Sequence, residues 1–340
     1  GRGAVGGRRG GSVRGRGGRG RPDEGAPPWR APRRRWRTAL PLEYPQASRA
    51  REPLMYQSEV APLKRVLMKH PRDAFVSPQR IAEQWQTLSY LGPPDYDEAC
   101  HEADALAALL ERLGATVDWM PADDIGLDSV YARDASLVSN AGAILARMGK
   151  GARSAEPDAV RHEYTDLGVH VLGSIEQPGT LEGGDVTWLG DETLAVGRGY
   201  RTNAEGIAQL RALLGEDVEV IEVLLPHWKG AGDVLHLMSM LSPLAEDLLL
   251  VYSPLLPVAF REQLLSRGFE LVEVPDDEFE MGCNVLAAAP RVAVALEGFP
   301  ETCRRMEAAG VTVHAYSGGE ISAKGHGGPT CLTRTLERAT

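Results

Sequence analysis

The sequence predicts an α/β fold in which five repeated ββαβ units close into a ring, and three observations carry that expectation. A pattern of short apolar strands, an amphipathic helix and a further strand recurs five times along the chain. Paired strands precede each helix, which argues against the alternative, a doubly wound parallel sheet. An open array of such units would leave strand edges exposed, and closure hides them.

The units follow one another without long linkers. KRVLMKH leads into the helical YDEACHEADALAALLERLG and the strand ATVDWMP. SLVSNAGAILARM is followed by PDAVRHEYTDLG and VHVLG, and DVTWLGDETLAVG by AEGIAQLRALLG and VEVIEVL. LHLMSMLSPLAEDLLLVYS precedes PVAFREQLLSRG and FELVEVP. The last unit runs NVLAAAPRVAVALEG, PETCRRMEAAG, VTVHAYS. Gly114, Gly168, Gly268 and Gly310 stand where helices need a left-handed cap. In such a ring, loops from several units can converge, so a site can draw on distant parts of the chain.

The 340 residues and 43% hydrophobic content suffice for a buried core. The formal net charge of -10 is uneven: residues 1–50 hold 13 Arg, no Lys and three acids, or +10, which leaves -20 for the rest. Residues 1–54 are Gly/Arg/Pro-rich and are expected to be a disordered extension, with 55–340 a single catalytic domain. Arginine neutralises phosphate, so the tail could bind nucleic acid. The preferred reading is an inert extension upstream of Met55, where the composition changes. No apolar run reaches the roughly 18 residues of a membrane span, and residues 1–50 lack the apolar core of a secretory signal. Cys100, Cys283, Cys303 and Cys331 form no Cys-x-x-Cys pair and no zinc spacing. The expectation is a cytoplasmic body with reduced thiols, no cofactor and no metal.

Five segments could carry chemistry. Cys331 ends the loop KGHGGPTCLTR, outside any apolar periodic stretch, whereas Cys100 and Cys303 fall within helices as packing residues and Cys283 reads the same way in MGCN. LEGGDV, residues 181–186, sets two glycines between Glu182 and Asp185, where backbone can approach a ligand. In DSVYARDASLV, Asp128 and Asp134 are six apart, on one face of a strand, and suit a planar cation; the other reading is a solvated strand end. His236 in GDVLHLMSM could be a satisfied core residue. Arg201 in GRGYRTNAEG could clamp a carboxylate or be a surface charge.

Taken in order, these segments resemble the guanidine-modifying superfamily of arginine deiminases, dimethylarginine dimethylaminohydrolases and amidinotransferases, over roughly residues 60–338. The motifs are the ARD segment, LEGGD, the RTN segment, the HL segment and the terminal GGPTC. The resemblance implies the five-bladed α/β propeller, or pentein, for the ring. It implies Cys331 as nucleophile, His236 as general acid and base, and Glu182 as the carboxylate completing the triad. Asp134 and Asp128 become guanidinium-binding acids, joined by Asp185 in the substrate site. Arg201 becomes a ligand of the substrate α-carboxylate, and Arg153, in KGARSAEP, a second one. The implied reaction is hydrolysis of arginine or N-methylated arginine to citrulline through a covalent thiouronium.

Three positions sort the family's branches. Met238 stands two residues after His236 where deiminases carry an acid, which favours an N-alkyl group. Asp128 follows the dimethylargininase pattern and Arg133 the deiminase pattern. Dimethylarginine is therefore the favoured substrate. An amidinotransferase passing the amidino group to an amine is the first alternative, and a non-catalytic binding protein on the same ring is the second. The expected partner is a small guanidino amino acid, with no membrane involved and a homodimer as an allowed assembly.

Overall fold

The computed structural model describes residues 58–233 and 235–339. The predicted extension, 1–54, and the domain boundary at Met55 lie outside the described residues. The chain continues with β1 (Leu63–Lys69), α1 (Tyr96–Arg112) and β2 (Thr116–Met120). In α1 the apolar positions Ala99, Ala103, Leu106 and Leu110 recur every three or four residues and are buried. Asp95 caps the helix by accepting from the Glu98 N–H at 2.9 Å. Gly114 stops it with φ +100°.

Four further units repeat the plan. They are β3 (Ser136–Ser139), β4 (Gly142–Leu145), α2 (Glu156–Asp166) and β5 (Val171–Ser174); then β6 (Val186–Trp188), β7 (Thr193–Arg198), α3 (Ala204–Leu214) and β8 (Glu219–Leu224). Next come β9 (Leu241–Ala245), β10 (Leu248–Val251), α4 (Val258–Ser266) and β11 (Glu270–Glu273), then β12 (Val285–Ala289), β13 (Val292–Leu296), α5 (Pro300–Ala308) and β14 (Thr312–Tyr316). In each, the middle strand pairs antiparallel with the first and parallel with the third. Middle strands such as Leu248–Val251 are buried along their whole length, as the centre of a sheet covered on both faces requires. All four predicted glycine caps have positive φ.

The fifth three-stranded sheet is built from both chain ends, because β15 (Arg334–Arg338) pairs antiparallel with β1, which pairs parallel with β2. The last strand thus supplies the first position of the first blade and joins the two ends of the array. This is the five-bladed α/β propeller, and its closing strand starts three residues after Cys331.

One local expectation is corrected. The DSVYARD segment is not a strand: Leu127–Val130 is a 3₁₀ turn and β3 begins only at Ser136. The carbonyls of Asp128 and Tyr131 turn inward and accept hydrogen bonds from Arg153 at 3.3 and 3.0 Å, so they cannot feed a ladder. Asp128 and Asp134 are thus held by that turn and not by strand alternation.

Candidate functional site

The segment that enters the first strand of each blade carries one polar group to a common place. Asp134 precedes β3, Glu182 precedes β6, His236 precedes β9, Asn284 precedes β12 and Cys331 precedes β15. The predicted set is therefore assembled from five equivalent positions of the repeat. Asn284 was not foreseen from the sequence, although that equivalence is the signal that would have found it.

Glu182 is fully buried. His236 Nε2 donates to Glu182 Oε2 at 2.8 Å, the Lys150 N–H donates to Oε1 at 2.9 Å, and Arg201 Nη1 lies 3.3 and 3.4 Å from the two oxygens. Burial alone would raise the carboxyl, but His236 and Arg201 hold it well below the usual range. Burial likewise opposes the imidazolium, yet Asp185, Asp134 and Glu182 outweigh it and hold the His236 pKa up to about 9. The ring is thus cationic at neutral pH, with Nδ1 3.9 Å from Asp134 Oδ1.

Gly184 makes this approach possible. A Cβ there would sit 2.3 Å from His236 Nδ1 and 2.8 Å from Asp134 Oδ1. Its N–H donates to Asp134 Oδ1 at 2.9 Å. Asp185, expected in the substrate site, is instead a support of the histidine turn: it is fully buried and its Oδ1 accepts from the Leu237 N–H at 3.1 Å. Burial, without a full set of partners, pushes its carboxyl up to about 6.

Cys331 lies in the short helix Pro329–Leu332. Asn284 Nδ2 donates to its Sγ at 3.0 Å, and Asn284 Oδ1 accepts from the Thr330 N–H at 3.1 Å. Gly328 packs so close that a Cβ would meet Asn284 Cγ at 2.6 Å. Gly328 is therefore required by its contact with the side chain that grips the sulfur, while Gly325 and Gly327 pack against Tyr131. Burial, reinforced by Asp134, pushes the thiol up to about 11, against the pull of Asn284 and Arg133. The Cys331 carbonyl accepts from the Arg133 N–H at 3.1 Å, tying the cysteine to the ARD turn.

The remaining predicted residues lie around this centre. Asp134 Oδ2 accepts from Arg153 Nη1 at 2.5 Å. Arg153 also donates to both oxygens of Glu156 at 2.7 Å, so in this arrangement its guanidinium serves Asp134 and does not offer a free fork to a carboxylate. Two buried acids draw it inward. Asp128 pairs with Lys150 Nζ at 2.6 Å. Arg201 differs: beyond Glu182, it lines a cavity of about 230 Å³ with Tyr200, His227 and Trp228. Donor atoms of Asp134, Glu182 and His236 lie within 4.8 Å of one another, a spacing that could take a metal ion, but Arg153 and Arg201 already balance the two carboxylates. Burial raises the thiols of Cys100, Cys283 and Cys303.

Comparison with known proteins places this arrangement. The arginine deiminase family model matches residues 128–267 and 256–338. A dimethylarginine dimethylaminohydrolase of Streptomyces coelicolor is 37% identical over 204 residues, 58% of this chain and 71% of that protein. One of Pseudomonas aeruginosa is 28% identical over 260 residues, 76% of this chain and 96% of that protein. A solved structure of the latter, a cysteine-to-serine mutant complexed with citrulline, superposes with a TM-score of 0.67 at 25% identity, covering 81% of this chain and all of that one. An amidinotransferase from Microseira wollei shares the fold, with a TM-score of 0.71 at 17% identity over 85% of this chain and 98% of that one. The chain belongs to the arginine deiminase family of the guanidine-modifying superfamily and is similar to its dimethylarginine dimethylaminohydrolases.

Proposed function

We propose that this protein hydrolyses the guanidino group of an N-methylated arginine, dimethylarginine before arginine, to citrulline and an amine. The observation that carries this reading is the Glu182–His236 pair, 2.8 Å apart, set beside Asp134 and a Cys331 whose sulfur Asn284 grips. A guanidinium carbon is a weak electrophile because its charge is delocalised. Asp134, with Asp128 behind it, fixes the cation in line for attack. The bound cation adds positive charge beside Sγ, and the thiol gives up its proton to solvent as the cation arrives. Sγ bonds to the guanidinium carbon. His236 gives its proton to the departing amine, and a thiouronium on Cys331 remains. The neutral ring then takes a proton from water, the hydroxide adds to the same carbon, and citrulline leaves as the thiol re-forms.

Arg201 lines the cavity, and that position supports its reading as the residue that meets the substrate α-carboxylate. Met238, buried beside His236, supplies an apolar neighbour where an acid would prefer an unsubstituted nitrogen. Residues 55–340 are the catalytic unit in this reading, and the Arg/Gly-rich extension is inert.

The test is incubation with dimethylarginine and with arginine, reading citrulline and amine, with and without added glycine. Citrulline formation, faster from dimethylarginine, is the expected result. Transfer of the amidino group to glycine would make the protein an amidinotransferase. A chain starting at Met55 should match the full-length kcat/KM, and a lower value would give the extension a role.

A further inference from the structure

Behind the catalytic wall, on the side of the ARD turn away from His236, lies a cluster that the reaction does not use. Arg133, Arg334 and Arg338 are each 1–3% exposed, and Glu59 is 9% exposed. Arg133 donates to Glu59 Oε1 at 2.7 Å, to the Val186 carbonyl at 3.0 Å and to the Gly183 carbonyl at 3.3 Å. Arg334 donates to the Arg133 carbonyl. Arg338 donates to the Ala61 carbonyl at 2.5 Å, two residues from Glu59. Arg334 and Arg338 both lie on β15, and both come close enough to Arg133 and Glu59 to feel their charges.

Their donors are far from satisfied. Arg133 Nη1, Arg334 Nε, and Arg338 Nε and Nη2 are buried without a hydrogen-bond partner. Buried donors are nearly always paired, so four orphans on three adjacent guanidiniums are an anomaly. The charge is unbalanced as well. Among the described residues three arginines face Glu59, and Asp134, which also acts on Arg334, is committed to Arg153. Burial and the neighbouring Arg133 charge lower Arg334 and Arg338 only to about 10, so both remain charged at neutral pH. Leaving a buried charge uncompensated costs several kcal/mol. Water would fill the donors but supply no charge.

We propose that this cluster is a binding site for a small monovalent anion of the chloride class, held by the free donors of Arg133 and Arg338 with Arg334 adjacent. The anion is structural: it balances the pocket that anchors the ends of the ring, since Arg338 and Arg334 belong to the closing strand and Glu59 and Ala61 to the segment before β1. A large organic anion such as gluconate does not fit a site this buried.

The test uses the full chain and reads scattering and stability, so its failure is separable from failure of the proposed reaction. Crystals grown or soaked in sodium bromide should show an anomalous peak between Arg133 and Arg338. The Tm should rise with sodium chloride above its value in sodium gluconate at equal ionic strength, by about 2 °C at ten times the Kd, and go on rising with the logarithm of chloride concentration. In Arg338→Gln that difference should disappear, and Arg304→Gln, on an exposed helix face, should keep it. Ordered water without an anomalous peak, or equal Tm in the two salts at every concentration, overturns the proposal.

Discussion

At the residue scale, the site is governed by which groups hold protons. The Cys331 thiol stands at about 11 and the His236 imidazolium at about 9. The reactive free form, thiolate with imidazolium, is therefore a minority at every pH. Its fraction rises as pH climbs towards 9 and falls above 11. Since kcat/KM reports the free protein, its pH profile for dimethylarginine should be a bell with limbs near those values; a plateau from pH 6 to 8 would contradict it. Asn284 contributes a hydrogen bond to sulfur, and such bonds to charged groups are worth roughly 1.5–3 kcal/mol. Asn284→Ala should lower kcat/KM by about tenfold or more and move the pH dependence of Cys331 alkylation upward, with Tm nearly unchanged. Unchanged alkylation kinetics would remove Asn284 from the mechanism. Cys331, His236, Glu182 and Asp134 could be singled out in the sequence because their segments carry glycines or acids, and the structure brings Asp134, Glu182 and His236 together. Asn284 was hidden because MGCN has no distinctive pattern of its own, and only its place just before β12 marks it. Asp185 was misplaced because a carboxylate beside Glu182 reads like a ligand group, while its burial and its Leu237 N–H partner are tertiary facts.

At the scale of elements, function rests on short turns entering blades, while helices supply stability. Gly184→Ala would put a Cβ 2.3 Å from His236 Nδ1, and backbone would have to move the ring off Glu182. Turnover should fall at least a hundredfold, read as kcat. Asp95→Ala removes the cap of α1 and should cost about 1 kcal/mol in urea unfolding with kcat unaltered. A large loss of kcat there would mean that the helices do more than hold the blades. The helices were readable because their caps and apolar spacing are local. The DSVYARD turn was not, since its carbonyls are claimed by Arg153, about 20 residues on in the chain, and alternation of types alone could not reveal that claim.

For the whole molecule, the decisive event is closure. The five units were legible as a repeat, but the strand that begins the first blade is the last in the chain, and LTRTLERAT carries no mark of its partner. That blade is completed only when β15 reaches β1 across the full length of the described chain. A chain ending at Thr333 keeps every catalytic group yet leaves β1 an open edge, and it should lose its cooperative thermal transition; an unchanged melt would deny the strand its closing role. Charge acts at this scale too. His236 is raised from 6.5 to about 9, so the stability it contributes is complete below 6.5 and lost as pH rises through 9. Unfolding free energy should therefore fall between pH 7 and 9.5 in the native protein and fall less in His236→Asn.

The central claim is that Cys331 bonds covalently to the guanidinium carbon. Rapid acid quench during turnover of dimethylarginine, followed by mass spectrometry of the intact protein and its Cys331 peptide, tests it directly. A transient adduct is expected on that peptide, with the mass of the substrate less its dimethylamine, and it should be absent from Cys331→Ser, which should form no citrulline. Citrulline formed by Cys331→Ser at the native rate, or turnover with no adduct on Cys331 at any quench time, would contradict it.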